Sequence, residues 1–393
     1  MSLFESAHRE AWDYQRFSSP FHGLYGSVVI ADDDVLGVAW DVDPHSAGVR
    51  ALGEAVERSA LYETPLEQIR GRAAGLGPAA IRLDDRVTFS PQQRAESPRL
   101  TVFDWDEDTE TTWTPMRAPR GERLVPYDVA RRRIGDADPL RPKPMTSIGT
   151  ACAADAETAL GRALLEVVER HAVASAVYRG TPASLVDAAR YGAGDIVSVL
   201  GTDAPLRVGL IDSGVPGVRV AIAAISGVRG DLPQAGFGSG AGLCVEDAVR
   251  AAALEAVHVF HLGWRLMRRG TPADPVPTSV NQRTLWWAHY GLPHIDDYFT
   301  AEEVEVPAGA DARHGSPVAR VGDFLDDHGY DWGYADITPP WASGVVVARA
   351  VVPSFLHLQI NEFPFFVAPR FQTVVNAFME RTSAGMVVPH PFV

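Results

Sequence analysis

Two short stretches of the chain carry nearly the same charged residues in apolar surroundings. The first runs Ala51-Leu-Gly-Glu54-Ala-Val-Glu57-Arg58, and the second runs Ala163-Leu-Leu-Glu166-Val-Val-Glu169-Arg170. A third stretch, Ala251-Ala-Ala-Leu254-Glu255-Ala-Val-His258, repeats the theme with one glutamate. Burying carboxylates is unfavourable unless another group binds them. The pattern therefore predicts that a cation is the partner of these glutamates.

The spacing of the acids indicates which cation they bind. Residues three apart on a helix share a face, so Glu54 and Glu57 point the same way, as do Glu166 and Glu169. The arginine after each pair lies about 100° further round the helix, within reach of a phosphate or a carboxylate. Hard oxygen ligands suit Mg²⁺, which commonly bridges carboxylates and nucleotide phosphates. We therefore predict a nucleotide–metal site built from glutamates of separate helices.

Two other interpretations of these helices stay open on the sequence alone. The motif E-x-x-E-R is also typical of a solvent-exposed helix face. Glu255 and His258 have the spacing found in di-metal carboxylate bundles, but the other helices offer no such pair and the chain is rich in predicted strand. In that comparison His258 is better explained as a packed or hydrogen-bonded residue.

Predicted helices and strands alternate along the chain and must position the glutamates. The helices are predicted over 46–62 with Ser46 as N-cap, over about 156–178 with Asp155 as N-cap, and over about 245–267. Strands are predicted over 26–30, 206–211, 219–225 and 345–352, the last of them buried on both faces. A glycine-rich link over 236–242 leads into the third helix, and surface loops are predicted over 104–110 and 131–143. Because no clean linker divides the chain, we predict a single composite α/β domain over 1–393.

Composition argues against several classes of protein. The 393 residues carry a formal net charge of −15, which disfavours a general affinity for nucleic acid or anionic membranes. The two cysteines, Cys152 and Cys244, are too few for a disulfide framework and are expected to be buried packing residues. The N-terminus lacks the apolar core of a signal peptide, and no segment has the pattern of a membrane span. We therefore expect a cytoplasmic protein.

The order of the motifs resembles that of the YcaO family. The first repeat follows Arg16-Phe-Ser-Ser19-Pro-Phe-His-Gly23, and the second follows Thr146-Ser147-Ile-Gly149-Thr-Ala-Cys-Ala153. The third follows the glycine link and Glu246-Asp-Ala-Val-Arg250, and the strand ending at Val352-Pro353 and the terminal Pro389-His-Pro-Phe-Val393 are similar too. The resemblance covers about residues 16–393 and leaves 1–15 as an N-terminal extension. It implies a YcaO-like fold with mixed and antiparallel sheets and glutamate-bearing helices.

The resemblance also implies an ATP- and Mg²⁺-dependent enzyme that acts on a peptide. In the family a nucleophile attacks a backbone amide carbonyl, ATP phosphorylates the resulting oxyanion, and phosphate leaves. A cysteine, serine or threonine side chain gives an azoline (thiazoline or oxazoline), an amine gives an amidine, and sulfide gives a thioamide. Such phosphoryl transfer depends mainly on positioning and on charge neutralisation by Mg²⁺ and cationic side chains.

The motifs carry the family's site residues onto this chain. The implied Mg²⁺ ligands are Glu54, Glu57, Glu166 and Glu169. The implied ATP-binding residues are Arg16, Ser19, Glu54, Glu57, Arg58, Ser147, Glu157, Glu166, Glu169, Arg170, Glu246 and Arg250. Candidates for a general base that deprotonates the attacking group are His171, His258 and the terminal carboxylate of Val393. Both histidines also have a structural interpretation as packed residues.

Several positions depart from the family pattern. A serine expected four residues before Glu54 is Arg50 here. The serine, glutamate and glutamine expected before the second repeat fall on Ala151, Thr158 and Arg162, and Glu157 is the candidate substitute for the missing carboxylate. These changes remove hydrogen-bonding groups and add positive charge. The sequence therefore also allows a catalytically silent YcaO-like scaffold that binds peptide.

The expected substrate is a ribosomally made precursor peptide. Stand-alone, divergent members resembling this chain act in pathways such as that to bottromycin, where a thiazoline or a macrocyclic amidine is formed. No fused leader-binding domain is predicted, so the chain acts alone or with a separate peptide-recognition protein. We expect a homodimer, and no nucleic-acid or membrane partner.

Overall fold

The computed structural model describes residues 12–31, 34–81, 108, 110–119, 121–130, 147–274, 277, 279–306, 315–356, 358 and 388–392. The strands are β1 (Asp13–Ser18), β2 (Tyr25–Ala31), β3 (Asp34–Asp41), β4 (Ile69–Arg72), β5 (Glu110–Ala118), β6 (Gly121–Pro126), β7 (Thr150–Ala153), β8 (Ala183–Val186), β9 (Leu206–Ile211), β10 (Arg219–Ile225), β11 (Gly236–Gly242), β12 (Phe299–Glu303), β13 (Gly333–Asp336) and β14 (Val346–Val351). The helices are α1 (Pro44–Glu63), α2 (Ala73–Leu76), α3 (Tyr127–Ala130), α4 (Ala156–Arg179), α5 (Gly194–Leu200), α6 (Val245–Arg268), α7 (Val280–Tyr290) and α8 (Pro317–Asp327). None of these helices is long and apolar enough to cross a membrane.

Within the described residues the strands form three sheets. The first is the antiparallel sheet β1-β2-β3. The second has the order β11-β10-β9-β8-β12, in which only β8 and β12 run parallel. The third has the order β4-β5-β13-β14-β7, with β6 paired to β5, and is antiparallel. This arrangement of helices and mixed or antiparallel sheets confirms the predicted fold class.

The ends of the glutamate-bearing helices are set by aspartate caps at α1 and α4. Asp155 caps α4, as predicted, because its carboxylate accepts the backbone N–H of Thr158 at 2.8 Å. The predicted cap of α1 is wrong: Asp43 is the N-cap and accepts the N–H of Ser46 at 2.8 Å. Pro44 begins that helix because the first helical position needs no N–H donor. Ser46 therefore lies inside the first turn.

The glycine-rich stretch before α6 is strand β11, so the prediction of a link is wrong. β11 pairs with β10, and Gly238 lies opposite Ala223. A Cβ atom on Gly238 would lie 2.2 Å from the backbone nitrogen of Ala256 in α6. Glycine is required because the helix backbone approaches the strand too closely for a side chain. The same requirement removes the side-chain alternation by which a strand is recognised in a sequence.

The three repeated stretches form three strand–helix units, β3–α1, β7–α4 and β11–α6. Glu54, Glu166 and Glu255 each lie ten residues after the first residue of their helix, which is Pro44, Ala156 and Val245 respectively. The apolar residues beside these glutamates are buried, including Ala51, Ala55, Val56, Ala163, Val167, Val168, Ala252, Ala256 and Val257. Each unit therefore buries its helix against a strand and places its glutamate at the same position.

Buried apolar residues support this core. β14 lies between β13 and β7 and is buried along most of its length, which confirms the strand predicted over 345–352. Cys152 and Cys244 are free and buried, as predicted. Burial raises the pKa of the Cys152 thiol to about 12, so that it stays protonated at neutral pH. A thiol in this state is a packing group and a poor nucleophile.

Candidate active site

Each strand–helix unit fixes its glutamate by a backbone N–H group. The carboxylate of Glu54 accepts the N–H of Val38 at 2.7 Å, and that of Glu166 accepts the N–H of Gly149 at 2.9 Å. In the third unit Glu255 accepts the N–H of Ser239 at 2.9 Å. Hydrogen bonds from fixed amides restrict the rotamer of a carboxylate and favour its charged form. The repeat thus places one oriented glutamate per helix.

Glu57 lies among these fixed carboxylates. It accepts the N–H of Cys152 at 2.6 Å, and Arg162 donates to the carbonyl of the same residue at 3.3 Å. Burial, together with the charges of Glu166 and Glu54, raises the pKa of Glu57 to about 8, against the opposing effects of the Cys152 N–H and the Arg162 guanidinium. Burial also raises the pKa of Glu166. Burial therefore favours the protonated form of these carboxylates more strongly than the nearby cationic and N–H groups oppose it.

Helix α4 and the β11–α6 unit meet in a ring of four side chains, Glu169, Ser239, Glu255 and Arg170. Ser239 donates its hydroxyl to Glu169 at 2.7 Å, and Arg170 donates Nη2 to Glu255 at 3.1 Å. Burial raises the pKa of Glu169 to about 7, with Arg170 opposing this effect and Glu255 adding to it. Burial disfavours the charged form of Arg170, but the carboxylates of Glu255, Glu169 and Glu166 outweigh it and raise its pKa above the usual range.

His258 occupies the position in the third unit that Glu57 and Glu169 occupy in the first two, three residues after the fixed glutamate. Burial lowers the pKa of His258 below its ordinary value, although the nearby charges of Glu54 and Glu255 oppose this. The imidazole is therefore neutral at neutral pH and able to accept a proton. Of the two predicted histidine bases, His258 is the one that lies with the carboxylates.

The donor set fits Mg²⁺ held jointly with a nucleotide. No group of three or more His, Cys, Asp or Glu side chains in the described part of the chain is arranged to hold a metal ion by itself. Mg²⁺ usually takes one or two carboxylates and completes its shell with phosphates and water. Burial raises the pKa values of Glu57 and Glu169, and a cation bound nearby would lower them again. Glu54, Glu57, Glu166 and Glu169 are the residues that would supply the oxygens.

The arginines after the glutamate pairs have different surroundings. Arg58 pairs with Glu54 at 2.5 Å and also donates to the carbonyl of Val35, and its side chain is 45% exposed. Arg170 is 21% exposed and lies 3.7 Å from Glu169. Arg170 is therefore the more enclosed of the two arginines, whereas Arg58 lies at the solvent-exposed edge of the glutamate cluster.

A second ionic cluster lies at the start of α6. Arg250 donates to both oxygens of Asp195, at 2.9 and 3.0 Å, and lies 3.5 Å from the buried Asp41. Arg50, which replaces the serine of the family pattern, also lies 3.5 Å from Asp41. The structure thus ties Arg50 and Arg250 to one aspartate. Glu246, one turn before Arg250, is partly buried in the first turn of α6.

Three other predicted nucleotide-binding residues lie on exposed parts of the chain. Glu157 is exposed in the first turn of α4, nine residues or about two and a half turns before Glu166. Arg16 is exposed on β1, and Ser147 is exposed in the turn before β7. The structure therefore does not bring Glu157 to the buried carboxylates.

Ser19 is bound to a buried histidine. Its hydroxyl lies 2.8 Å from Nε2 of His261, whose Nδ1 lies 2.8 Å from the carbonyl of Val257. Because a carbonyl only accepts, Nδ1 carries the hydrogen and Nε2 accepts the serine hydroxyl. The ring stacks on Trp40 with centroids 3.8 Å apart. Burial lowers the pKa of His261 to about 4.

We expect this histidine to make the protein sensitive to mild acid. The unfolded chain takes up a proton near the ordinary pKa of 6.5, whereas folded His261 does so only near 4. The contribution of His261 to the free energy of unfolding is complete above pH 6.5 and is lost as the pH falls toward 4. The full loss is about 3 kcal/mol. In a His261→Gln variant, the free energy of unfolding measured by chemical denaturation should depend less on pH over this interval than in the wild type. The control is His22→Gln at an exposed position, and equal pH slopes for both variants would contradict the assignment.

Of the remaining predicted bases, His171 is not placed among the carboxylates. His171 accepts the N–H of Leu356 through Nδ1 at 3.0 Å and stacks on Phe355, so it holds the segment after β14. Val393 lies outside the described residues, as does the predicted loop over 131–143 and most of that over 104–110, whose last residue begins β5. The described end of the chain is anchored by Trp287, which donates to the carbonyl of Pro389 at 2.9 Å.

Sequence reasoning missed Ser239 and Arg349, and it noted Glu255 without assigning it to the site. Glu255 and Ser239 complete the ring with Glu169 and Arg170, and the third repeat was the available signal for Glu255. Arg349 on β14 is 3% exposed; it donates to Thr150 at 3.0 Å and to the carbonyls of Ile148 and Val129, beside the Gly149 amide that holds Glu166. A single arginine in the apolar stretch Val345-Val-Val-Ala-Arg-Ala-Val-Val352 was the signal for Arg349.

A family sequence model described as YcaO cyclodehydratase, ATP- and Mg²⁺-binding, matches residues 41–356. The chain belongs to the YcaO family. The matched range includes the β7–α4 and β11–α6 units and α1, but only the last residue of β3, Asp41. A search of curated proteins returned no match.

Solved structures share the YcaO fold. A heterocyclase in complex with substrate and cofactor is 20% identical with a TM-score of 0.72, covering 88% of this chain and 50% of its own. The YcaO protein from Methanopyrus kandleri, bound with AMPPCP and Mg²⁺, is 21% identical with a TM-score of 0.62, covering 93% of each chain. The E. coli microcin synthetase McbBCD complex with pro-MccB17 bound is 12% identical with a TM-score of 0.64, covering 87% of this chain and 88% of that one. The chain spans about half the length of the first structure and of the heterocyclase TruD.

Proposed function

We propose that this YcaO protein is an ATP- and Mg²⁺-dependent cyclodehydratase that converts a side chain and backbone amide of a precursor peptide into an azoline. The observation that carries the proposal is the cluster of oriented glutamates from three helices, of which Glu57 and Glu169 have pKa values raised by burial. Such a cluster is unfavourable in the absence of a cation and suited to one. Membership of a family of ATP- and Mg²⁺-binding cyclodehydratases supports the same reading.

In this proposal the position of each residue determines its role. Bound ATP and Mg²⁺ would supply the phosphoryl group that turns the amide oxygen into a leaving group, and the charge that balances it. Glu54, Glu57, Glu166 and Glu169 hold the cation, and Arg170 faces the phosphates. His258, neutral and beside Glu54 and Glu255, accepts the proton of the attacking group.

The nucleophile decides the product, and the finer alternatives are an amidine and a thioamide. A macrocyclic amidine requires a free amine on the peptide, and a thioamide requires added sulfide. The bottromycin type of pathway, which forms a thiazoline or a macrocyclic amidine, is our choice among these, resting on the sequence resemblance. A catalytically silent scaffold is the competing class, and it is favoured by the ties of Arg50 and Arg250 to Asp41.

One incubation separates these functions. The purified protein, ATP, Mg²⁺ and a cysteine-containing precursor peptide should give peptide-dependent phosphate release and a peptide lighter by one water. Replacing the peptide cysteine with alanine should abolish azoline formation, whereas blocking the peptide amine should abolish only amidine formation. A mass gain that requires sulfide would indicate a thioamide. If calorimetry detects no nucleotide binding and the peptide mass does not change, the catalytically silent scaffold is the remaining function.

We further propose a cytoplasmic homodimer that takes the peptide directly or through a separate peptide-recognition protein. The free, buried thiols of Cys152 and Cys244 are in keeping with a reducing compartment. Light scattering of the purified chain would measure its mass in solution. Adding the protein encoded beside a candidate precursor would test whether turnover depends on a partner.

A further inference from the structure

Glu255 belongs to the third strand–helix unit and is the one fixed glutamate that the motifs did not assign to Mg²⁺ or ATP. We propose that Glu255 and Ser239 are positioning residues that set the carboxylate of Glu169 and the guanidinium of Arg170 for the Mg²⁺–nucleotide. This inference rests on the proposed function, because it takes Glu169 and Arg170 as the groups that face the ligand. It links the third unit to Mg²⁺ ligands that the sequence placed on two helices.

Ser239 connects the two carboxylates. Its backbone N–H lies 2.9 Å from Oε2 of Glu255, and its hydroxyl oxygen lies 2.7 Å from Oε1 of Glu169 and 3.3 Å from Oε2 of Glu255. A hydroxyl has one hydrogen, and the shorter distance assigns it to Glu169. Ser239 is 3% exposed, so water does not compete for these contacts. One serine therefore orients both acids.

Arg170 connects the same two carboxylates from the other side. Its Nη2 lies 3.1 Å from Oε1 of Glu255, whereas its Nε lies 3.7 Å from Oε1 of Glu169. The shorter contact, a hydrogen bond, goes to Glu255, and the ion pair of Arg170 with Glu169 is longer. Oε2 of Glu169 takes part in none of these contacts. The ring thus leaves Glu169 with an oxygen for a cation while keeping Arg170 in place.

A purely structural role for Glu255 predicts different behaviour. α6 packs closely on β11, and the hydrogen bond from Ser239 to Glu255 also joins these two elements. If that were its whole role, losing the charge of Glu255 would change the stability of the protein and leave nucleotide affinity intact. If Glu255 acts through Arg170, the effects of changing the two residues will be coupled.

The test is a double-mutant cycle on nucleotide affinity. Glu255→Gln keeps the shape and the acceptor for the Ser239 N–H but removes the charge. Calorimetry with Mg²⁺ and a non-hydrolysable ATP analogue should show about tenfold weaker binding. The KM for ATP should rise in step, while kcat at saturating ATP should fall less. Glu303→Gln, an exposed change of the same charge, is the control.

The second part of the cycle tests whether Glu255 acts through Arg170. Arg170→Gln should weaken nucleotide binding more than Glu255→Gln, and the double variant should bind no more weakly than Arg170→Gln alone. Ser239→Ala should weaken binding in the same direction. Unchanged affinity in Glu255→Gln, or additive losses in the double variant, would overturn the inference while leaving the proposed function in place. A wild-type protein that binds no Mg²⁺–nucleotide would overturn both.

Discussion

A Glu57→Gln variant is expected to lose about 100-fold in ATP-dependent turnover while the ligand-free protein becomes more stable. Glutamine keeps an acceptor for the N–H of Cys152 but cannot bind Mg²⁺ as a carboxylate. Glu169→Gln should lower turnover similarly. Phosphate release with peptide present measures the loss, and near-wild-type rates would reject the assignment of these glutamates to the cation.

The gain in stability follows from the raised pKa of Glu57. The unfolded chain loses the proton of this glutamate near the ordinary pKa of 4.5, whereas the folded chain keeps it to about 8. The contribution of Glu57 to stability is therefore complete below pH 4.5 and is lost as the pH rises toward 8. At pH 7 glutamine should raise the free energy of unfolding by roughly 2 kcal/mol, allowing for partial solvent screening. Denaturation in EDTA measures this, with Glu67→Gln, an exposed change, as the control.

A Gly238→Ala variant is expected to lower the free energy of unfolding by about 3 kcal/mol, because the added methyl group would meet backbone atoms. Its Cβ would lie 2.2 Å from the nitrogen of Ala256 and 2.5 Å from the carbonyl oxygen of Ala252. Backbone cannot rotate away as a side chain does, so α6 must shift from β11. Chemical denaturation of the two proteins measures the difference.

Gly53 provides the matched control for this substitution. It lies inside α1, and a Cβ there would meet no heavy atom within 4 Å apart from its chain neighbours and the nearby backbone of the same helix. Gly53→Ala should stabilise the protein by about 0.5 to 1 kcal/mol through helix propensity. The two alanine variants should therefore change stability in opposite directions. A loss in Gly53→Ala equal to that in Gly238→Ala would show that the close approach of α6 to β11 is not the cause.

The predicted elements were most accurate where one helix face is buried. The apolar residues around Glu54, Glu166 and Glu255 follow the helical period, so α1, α4 and α6 were found within a few residues of their ends. β11 was missed because its glycines carry no alternating side chains. The N-cap of α1 was misplaced by three residues because Asp43 and Ser46 are both good caps, and the turn at Pro44 decides between them.

By itself the sequence determined the glutamate spacing, the three repeated stretches and the family, since these depend only on residue order and helical period. Tertiary structure decided which acids share surroundings, because Ser239 and Glu169 are 70 residues apart in the chain and Arg170 and Glu255 are 85 apart. It also left Glu157 exposed and tied Arg50 to Asp41. The pKa values of Glu57 and Glu169 depend on burial and on charges from other helices, and those exist only once the three units have packed together.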